Sequence, residues 1–251
     1  MTLCGSGGGG TRYVSSVGNP SVGVVMPVRN GAGTIGLAVG SVLAQQPPVD
    51  HVVVVDGTST DGTLGCLPID PRIEVVHQSS TGLGAARNDG IHRLRTDLVG
   101  FCDADDRWRP DALAVRMDHL ATHPTCIAVA GRVCTSATSA VGEVPTHRVA
   151  GLGRATDGYT PGAVLIRREV VAPFDEQLRI ATDTRWFAEL LDSPLRFDLI
   201  AAIVLDKGVG PATLSTDLER YRREMLVVIS EVIARRRLRP AAPGERGRDA
   251  L

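Results

Sequence analysis

The sequence predicts an α/β fold, a Rossmann-like, mostly parallel mixed sheet flanked by helices. Three observations lead there. Short continuous β-branched runs, such as those within Ser21–Val28 and His51–Val55, suit strands buried on both faces. Stretches with apolar residues at helical spacing separate these runs. The early runs give way at their carboxyl ends to polar Gly-, Ser-, Thr- or Asp-rich turns, the edge where open α/β sheets bind ligands.

Taken in order, residues 1–20 contain Gly5-Ser6-Gly7-Gly8-Gly9-Gly10 and little that could bury a face, so a flexible leader is expected. Ser21–Val28 is the first strand, broken by Arg29-Asn30-Gly31-Ala32-Gly33. Ile35, Leu37, Ala38, Val42 and Leu43 mark a helix with Thr34 near its start and Pro47-Pro48 beyond its end. His51–Val55 is the second strand, with a polar turn over Asp56–Thr63. Ile73–Val76 is the third, followed by Ser79–Gly84 and a helix over Ala85–Arg95. Leu98–Cys102 is the fourth.

Beyond Trp108 the pattern gives a helix over Asp111–Leu120 and a strand over Ile127–Cys134. Residues 135–158, rich in Thr, Ser, Gly and Ala without a clear period, read as an irregular loop or lid. A strand over Ala163–Ile166 and a helical turn over Arg167–Val171 follow. The helix Thr182–Leu191 has Thr182 or Asp183 placed to cap it, and Phe197–Leu205 is the last strand. After Gly208, Gly210 and Pro211, a long helix over Asp217–Arg237 ends in Arg235-Arg236-Arg237. The plain reading is a packing helix whose basic end complements its dipole; a homodimer contact or peripheral binding to an anionic membrane is also open. Residues 240–251 are expected to be disordered.

Composition narrows the function. With 251 residues, 43% of them hydrophobic, the chain can bury one generous core, and one globular domain is expected. A formal net charge of -1 leaves no basic surplus for binding nucleic acid. The 5 cysteines show no Cys-x-x-Cys pair and no histidine at ligand spacing, so neither a zinc site nor a disulfide framework is indicated. Without a basic start and apolar run, or about 18 uninterrupted apolar residues, a cytoplasmic location without a transmembrane segment is expected.

The chemistry concentrates in Phe101-Cys102-Asp103-Ala104-Asp105-Asp106. Side chains alternate along an extended chain, so Asp103 and Asp105 project to one side at a strand's carboxyl end. Like charges this close repel and call for a cation. Two hard oxygen donors suit Mg²⁺ or Mn²⁺ carrying a phosphate-rich ligand. The competing reading is an acidic turn in which Asp106 or Asp111 caps the next helix.

Four motifs stand in one order over residues 22–192: Val24-Val25-Met26-Pro27-Val28-Arg29-Asn30, Val55-Asp56-Gly57-Thr58-Ser59-Thr60-Asp61-Gly62-Thr63, Gly84-Ala85-Ala86-Arg87-Asn88-Asp89-Gly90 and Phe101–Asp106. Together they resemble a family 2 glycosyltransferase of GT-A fold. The resemblance implies a nucleotide-diphosphate sugar donor, commonly uridine-linked, a divalent metal (Mg²⁺ or Mn²⁺) and inversion at the anomeric carbon. It implies that Pro27, Arg29 and Asn30 edge the nucleoside site, that Asp56 meets the base, and that Arg87 and Asn88 lie near the diphosphate or ribose. Asp105 would ligate the metal, Asp103 would contact metal or ribose, and Asp106 would orient the donor sugar. Residues 21–108 would form the donor half and 109–216 the acceptor half of a domain over 21–216, with 217–239 as the C-terminal helix.

Thr182-Asp183-Thr184-Arg185 resembles the family's Glu-Asp element, with Thr182 in place of the Glu, so Asp183 is the candidate catalytic base; simple capping is the alternative. A second departure is Gly210, where many relatives have a His. Lys207, the chain's sole lysine, could clamp the diphosphate or be an ordinary surface lysine. The Gly162–Arg168 stretch resembles an acceptor-side strand, with Arg167 and Arg168 a solvated pair. The acceptor is open among a glycan, a lipid-linked sugar, a natural product and a peptide, with the last two preferred. Two other classes compete: a nucleotide-sugar-binding protein without turnover, and a dinucleotide oxidoreductase, which the incomplete Gly31-Ala32-Gly33 disfavours.

Overall fold

A computed structural model describes residues 19–137, 152–209 and 217–238. Residues 1–18 of the expected leader, the centre of the 135–158 loop, Gly210 and the whole of the expected tail over 240–251 lie outside these residues. The strands are β1 (Val22–Val28), β2 (His51–Asp56), β3 (Ile73–His77), β4 (Leu98–Phe101), β5 (Arg107–Trp108), β6 (Cys126–Ala137), β7 (Ala155–Asp157), β8 (Val164–Arg167) and β9 (Arg196–Val209). The helices are α1 (Ile35–Leu43), α2 (Leu83–Arg93), α3 (Ala112–Thr122), α4 (Thr182–Asp192) and α5 (Leu218–Leu238).

The strands form one mixed sheet in the order β3-β2-β1-β4-β8-β6-β9-β5, with β7 added to β6. Ladders among β1 to β4 are parallel, as is the long β6–β9 ladder. β8 runs antiparallel to both β4 and β6 and joins the two halves.

Alternation sorts the side chains into two cores. Val22, Val24, Met26 and Val28 pack under α1 and α3, while Val25, Val53, Val55 and Phe101 pack under α2 and α4. Gly90 lets α2 lie against β1, since a Cβ there would stand 2.3 Å from Val25. Outside these layers, α5 rests on a small cluster in which Val228 meets Leu178 and Ala181. Among the described residues no helix is long and apolar enough to cross a membrane.

Three expectations are corrected. The last strand, expected over Phe197–Leu205, runs over Arg196–Val209, and its Leu205 and Asp206 pair with Arg107–Trp108, which thereby forms a short strand. Residues 135–137 and 155–157, expected to be irregular, are strand, with β7 pairing back on Arg132–Cys134. Arg167 and Arg168 are tied down more than a freely solvated pair would be: Arg167 is half-buried and Arg168 exposed, yet each donates through Nε to a backbone carbonyl, of Cys126 and Thr96 respectively.

Candidate active site

The turns after β1, β2 and β4 meet the start of α2 at the carboxyl edge of the sheet. The turn after β1 is stitched to that after β2. The amide of Asn30, at φ 54°, donates to Ser59 Oγ at 2.9 Å, and Thr60 N–H donates to Asn30 Oδ1 at 2.9 Å. Pro27 is buried in register with Val55, whereas Arg29 is exposed. Asp56 ends β2 almost fully buried, its two oxygens each 3.2 Å from the Ser59 amide.

Arg87 is the centre of the site. Its guanidinium is fully buried, and Nη2 donates to Asp103 Oδ1 at 2.9 Å while Nη1 donates to Asp183 Oδ1. Phe174 lies under it, 5.0 Å from ring centroid to guanidinium carbon. A cation with these neighbours stays charged: burial opposes the charge, but Asp183 and Asp103 outweigh it and raise the pKa. Asp103 is held below the usual carboxylate range, because the nearby charges of Arg87 and Lys207 overcome its burial.

Asn88, one residue on, faces inward instead. Its amide donates to Phe174 O at 2.9 Å and Glu176 Oε1 at 2.8 Å, and accepts from Phe174 N–H at 2.8 Å. That exchange ties α2 to the segment leading into α4. Gly84 allows the same close approach, since a Cβ there would stand 2.6 Å from Asp175 O.

Asp106 makes a second buried network. Its Oδ1 accepts the Gly208 amide at 2.8 Å, and Lys207 Nζ lies 3.5 Å from Oδ2. Burial pushes this carboxyl up to about 7, with the charges of Asp103 and Asp105 adding to the rise and Lys207 opposing it. Lys207 is half-buried and held charged, chiefly by Asp106 and against its own desolvation. It is therefore no ordinary surface lysine. Nor does Asp106 cap a helix, and Asp111, at the cap position of α3, makes no side-chain cap bond.

Asp183 lies in the first turn of α4, its side chain 26% exposed. It is not the cap either: Ala181 holds that position, and neither Thr182 nor Asp183 bonds a free amide there. Thr182 is fully buried and donates to Asp175 O at 3.1 Å.

The segment leading into α4 is held from elsewhere. Glu224 of α5 accepts the amides of Arg179, Ile180 and Ala181, the last two at 2.8 and 3.0 Å. Burial raises its pKa, but those three amides win and leave it below the ordinary glutamate value. Sequence reasoning missed this residue, since nothing sets Glu224 apart from the other charges of a polar helix.

Remote from this edge, His119, Cys126 and Asp198 bring ligand atoms within 4.8 Å of one another, a grouping that residue spacing had not suggested. Arg196 already bonds both oxygens of Asp198 at 2.8–2.9 Å, so the carboxylate there is neutralised by the protein itself.

The fold and edge geometry fit the comparison with known proteins. Residues 23–173 match the model of glycosyl transferase family 2. The chain belongs to that family. Among curated relatives of this family 2 glycosyltransferase, the succinoglycan biosynthesis protein ExoO of Rhizobium meliloti is 40% identical over 98 residues, covering 38% of this chain and 28% of ExoO. ExoU of the same organism is 26% identical over 225 residues, covering 78% of this chain and 66% of ExoU. The chain thus spans under two thirds of ExoO and close to two thirds of ExoU.

Solved structures share the GT-A fold. S. aureus TarS residues 1–349 in complex with UDP-GlcNAc superposes with a TM-score of 0.64 at 18% identity, over 84% of this chain and 66% of that one. Glucosyl-3-phosphoglycerate synthase from Mycobacterium tuberculosis, in complex with Mn²⁺, UDP and phosphoglyceric acid, gives 0.61 at 19% identity, over 85% and 78%.

Proposed function

We propose that this glycosyltransferase moves a sugar from a uridine-diphosphate donor to a hydroxyl of a glycan or lipid-linked acceptor, with inversion at the anomeric carbon. The observation that carries the reading is the buried Arg87 guanidinium, which holds Asp103 on the donor side and Asp183 on the other at one point of the sheet edge. TarS solved with UDP-GlcNAc supports the donor class, and relatives named for succinoglycan biosynthesis support a saccharide acceptor over the peptide or natural product preferred from sequence.

The donor set fits a divalent cation. Asp103, Asp105 and Asp106 crowd three carboxylates after β4, and the charges of Asp103 and Asp105 add to the burial that raises the Asp106 carboxyl. Hard oxygens of this kind suit Mg²⁺ or Mn²⁺, which Asp105 and Asp103 would hold. When bound, the ion supplies positive charge to offset that growing on the leaving diphosphate.

The chain's own residues do the rest. Pro27, Arg29 and Asn30 edge the nucleoside site and Asp56 meets the base. Lys207 adds a point charge toward the diphosphate. Asp106 and Asn88 act from below, the first aiming Lys207 and the second fixing α2 to the segment before α4, in keeping with their burial. Asp183 takes the proton of the acceptor hydroxyl as its oxygen bonds to the anomeric carbon and the bond to the diphosphate breaks. Arg87 keeps that carboxylate aimed.

The test is a thermal-shift screen of UDP-sugars with and without Mn²⁺, followed by transfer assays. Asp105→Ala should lose the Mn²⁺-dependent shift. Asp183→Asn should keep the shift while transfer falls by roughly 10²–10⁴-fold. A donor-induced shift with neither transfer nor slow donor hydrolysis would make the chain a binding protein instead.

A further inference from the structure

We propose that α5 is an interfacial helix whose outer face binds an anionic lipid surface. The proposal is independent of the transfer reaction and rests on how the helix distributes its side chains. At 100° per residue, Leu226, Ile229 and Ile233 fall on one stripe, and they are 66%, 46% and 45% exposed. The side of the helix that meets the body is different: Met225, Val228 and Val232 pack against Leu178 and Ala181.

Charge is sorted in the same way. Of the helix's three carboxylates, Glu224 faces inward to the amides before α4 and Glu231 bonds Arg185. Glu219, at the start of the helix, is exposed and lies 3.3 Å from Arg223. Arg222 and Arg223 flank the apolar stripe at one end and Arg237 at the other, all exposed. The outer face is therefore apolar along its centre and cationic at its ends.

That pattern selects the occupant. A second copy seated on the stripe would bring two sets of arginines together with only Glu219, already beside Arg223, to answer them. A layer of anionic lipid presents phosphates to the arginines and acyl chains to Leu226, Ile229 and Ile233, with the arginine stems lying along the apolar surface. At about 30 Å the helix is long enough to lie along such a surface. Its inner face holds the segment leading to Asp183, so the same contact would set the candidate site beside the lipid.

The experiment is flotation of the full chain with vesicles of phosphatidylcholine alone and of phosphatidylcholine mixed with phosphatidylglycerol. Binding to the mixed vesicles only, weakening as salt is raised, is the expected result. Replacing Leu226, Ile229 and Ile233 together by Ser should weaken it by at least about tenfold, and Arg222→Gln or Arg223→Gln by about fivefold each. Circular dichroism and the melting temperature report that these solvent-face variants remain folded. Absence of binding to the mixed vesicles, or undiminished binding of the triple variant, overturns the proposal. So does a dimer seen by light scattering that the triple variant abolishes, because a second copy would then cover the stripe.

Discussion

Asp103 and Asp183 face one guanidinium, but they stand on different supports. Asp103 follows β4, whose four residues are all buried between the two large cores of the sheet. Asp183 stands on α4, which is anchored on one side by the aromatic cluster of Phe101, Phe174 and Trp186. On the other side it depends on α5, through one small apolar cluster and several ion pairs. The first carboxylate is thus fixed by dispersion and backbone ladders. The second is fixed in part by polar contacts with a peripheral helix, so the acceptor side should yield first when the molecule is perturbed.

Removing the shared cation breaks both sides at once and should have the largest effect. Arg87→Ala leaves Asp103 and Asp183 facing one another without their shared hydrogen-bonded cation in a largely buried place. A loss of about 3–5 kcal/mol in urea-induced unfolding is expected, together with loss of transfer. Arg87→Lys should recover little, since an ammonium cannot bond both carboxylates from the guanidinium's fixed fork. Full stability of Arg87→Ala would show that the two carboxylates do not depend on it.

The next effect separates the supports. Glu224→Gln weakens the anchor of the segment leading into α4 without touching Asp103. A cost of about 1 kcal/mol is expected, at the low end for bonds to a charged group because water still reaches the carboxylate. Transfer should fall by roughly tenfold at unchanged donor affinity, since Asp183 is misplaced while the nucleotide side is intact. The sign with pH follows from the depressed pKa. The stabilisation by Glu224 is present above the ordinary glutamate value of 4.5 and is lost as pH falls through the folded value. The melting-temperature gap between the wild type and Glu224→Gln should therefore close on acidification. A constant gap would mean that the ionised carboxylate is not what holds that segment.

The same contrast governs what the amino-acid sequence reveals. β1, β2 and β4 are continuous apolar runs because both of their faces are covered, and such runs are visible without any partner. β5 is two residues long and exists only because Asp206 and Leu205 lie alongside, a pairing across about a hundred residues that no local pattern carries. β6 and β9 share a ladder with register shifts near Ala130 and Arg132, which break the period on which strand reading relies.

At the site, the Asp103–Asp106 cluster is visible as charge density in the sequence. The bridging of Arg87 to Asp183 joins residues 96 positions apart and emerges only once α2 and α4 are packed on one face. Capping of its own helix by Asp183 stays open in the sequence, because the carboxylate that takes the amides leading into α4 lies some 40 positions further on.

The smallest expected effect tests what kind of contact joins α4 to α5. Arg185 bonds Asp175 and Glu231, with Glu189 3.4 Å away, so it ties α4 to both the preceding segment and α5. All of these partners are partly exposed, and an ion-pair network of this sort contributes little in water. Arg185→Met should cost about 0.5 kcal/mol, and that cost should shrink as salt is raised, because the attraction it removes is screened. The Glu224→Gln cost should persist in the same titration, since it arises from bonds to amides at contact distance. Equal salt dependence in the two variants would show that α5 holds Asp183 in place by general charge attraction, and that the anchor at residues 179–181 contributes nothing of its own.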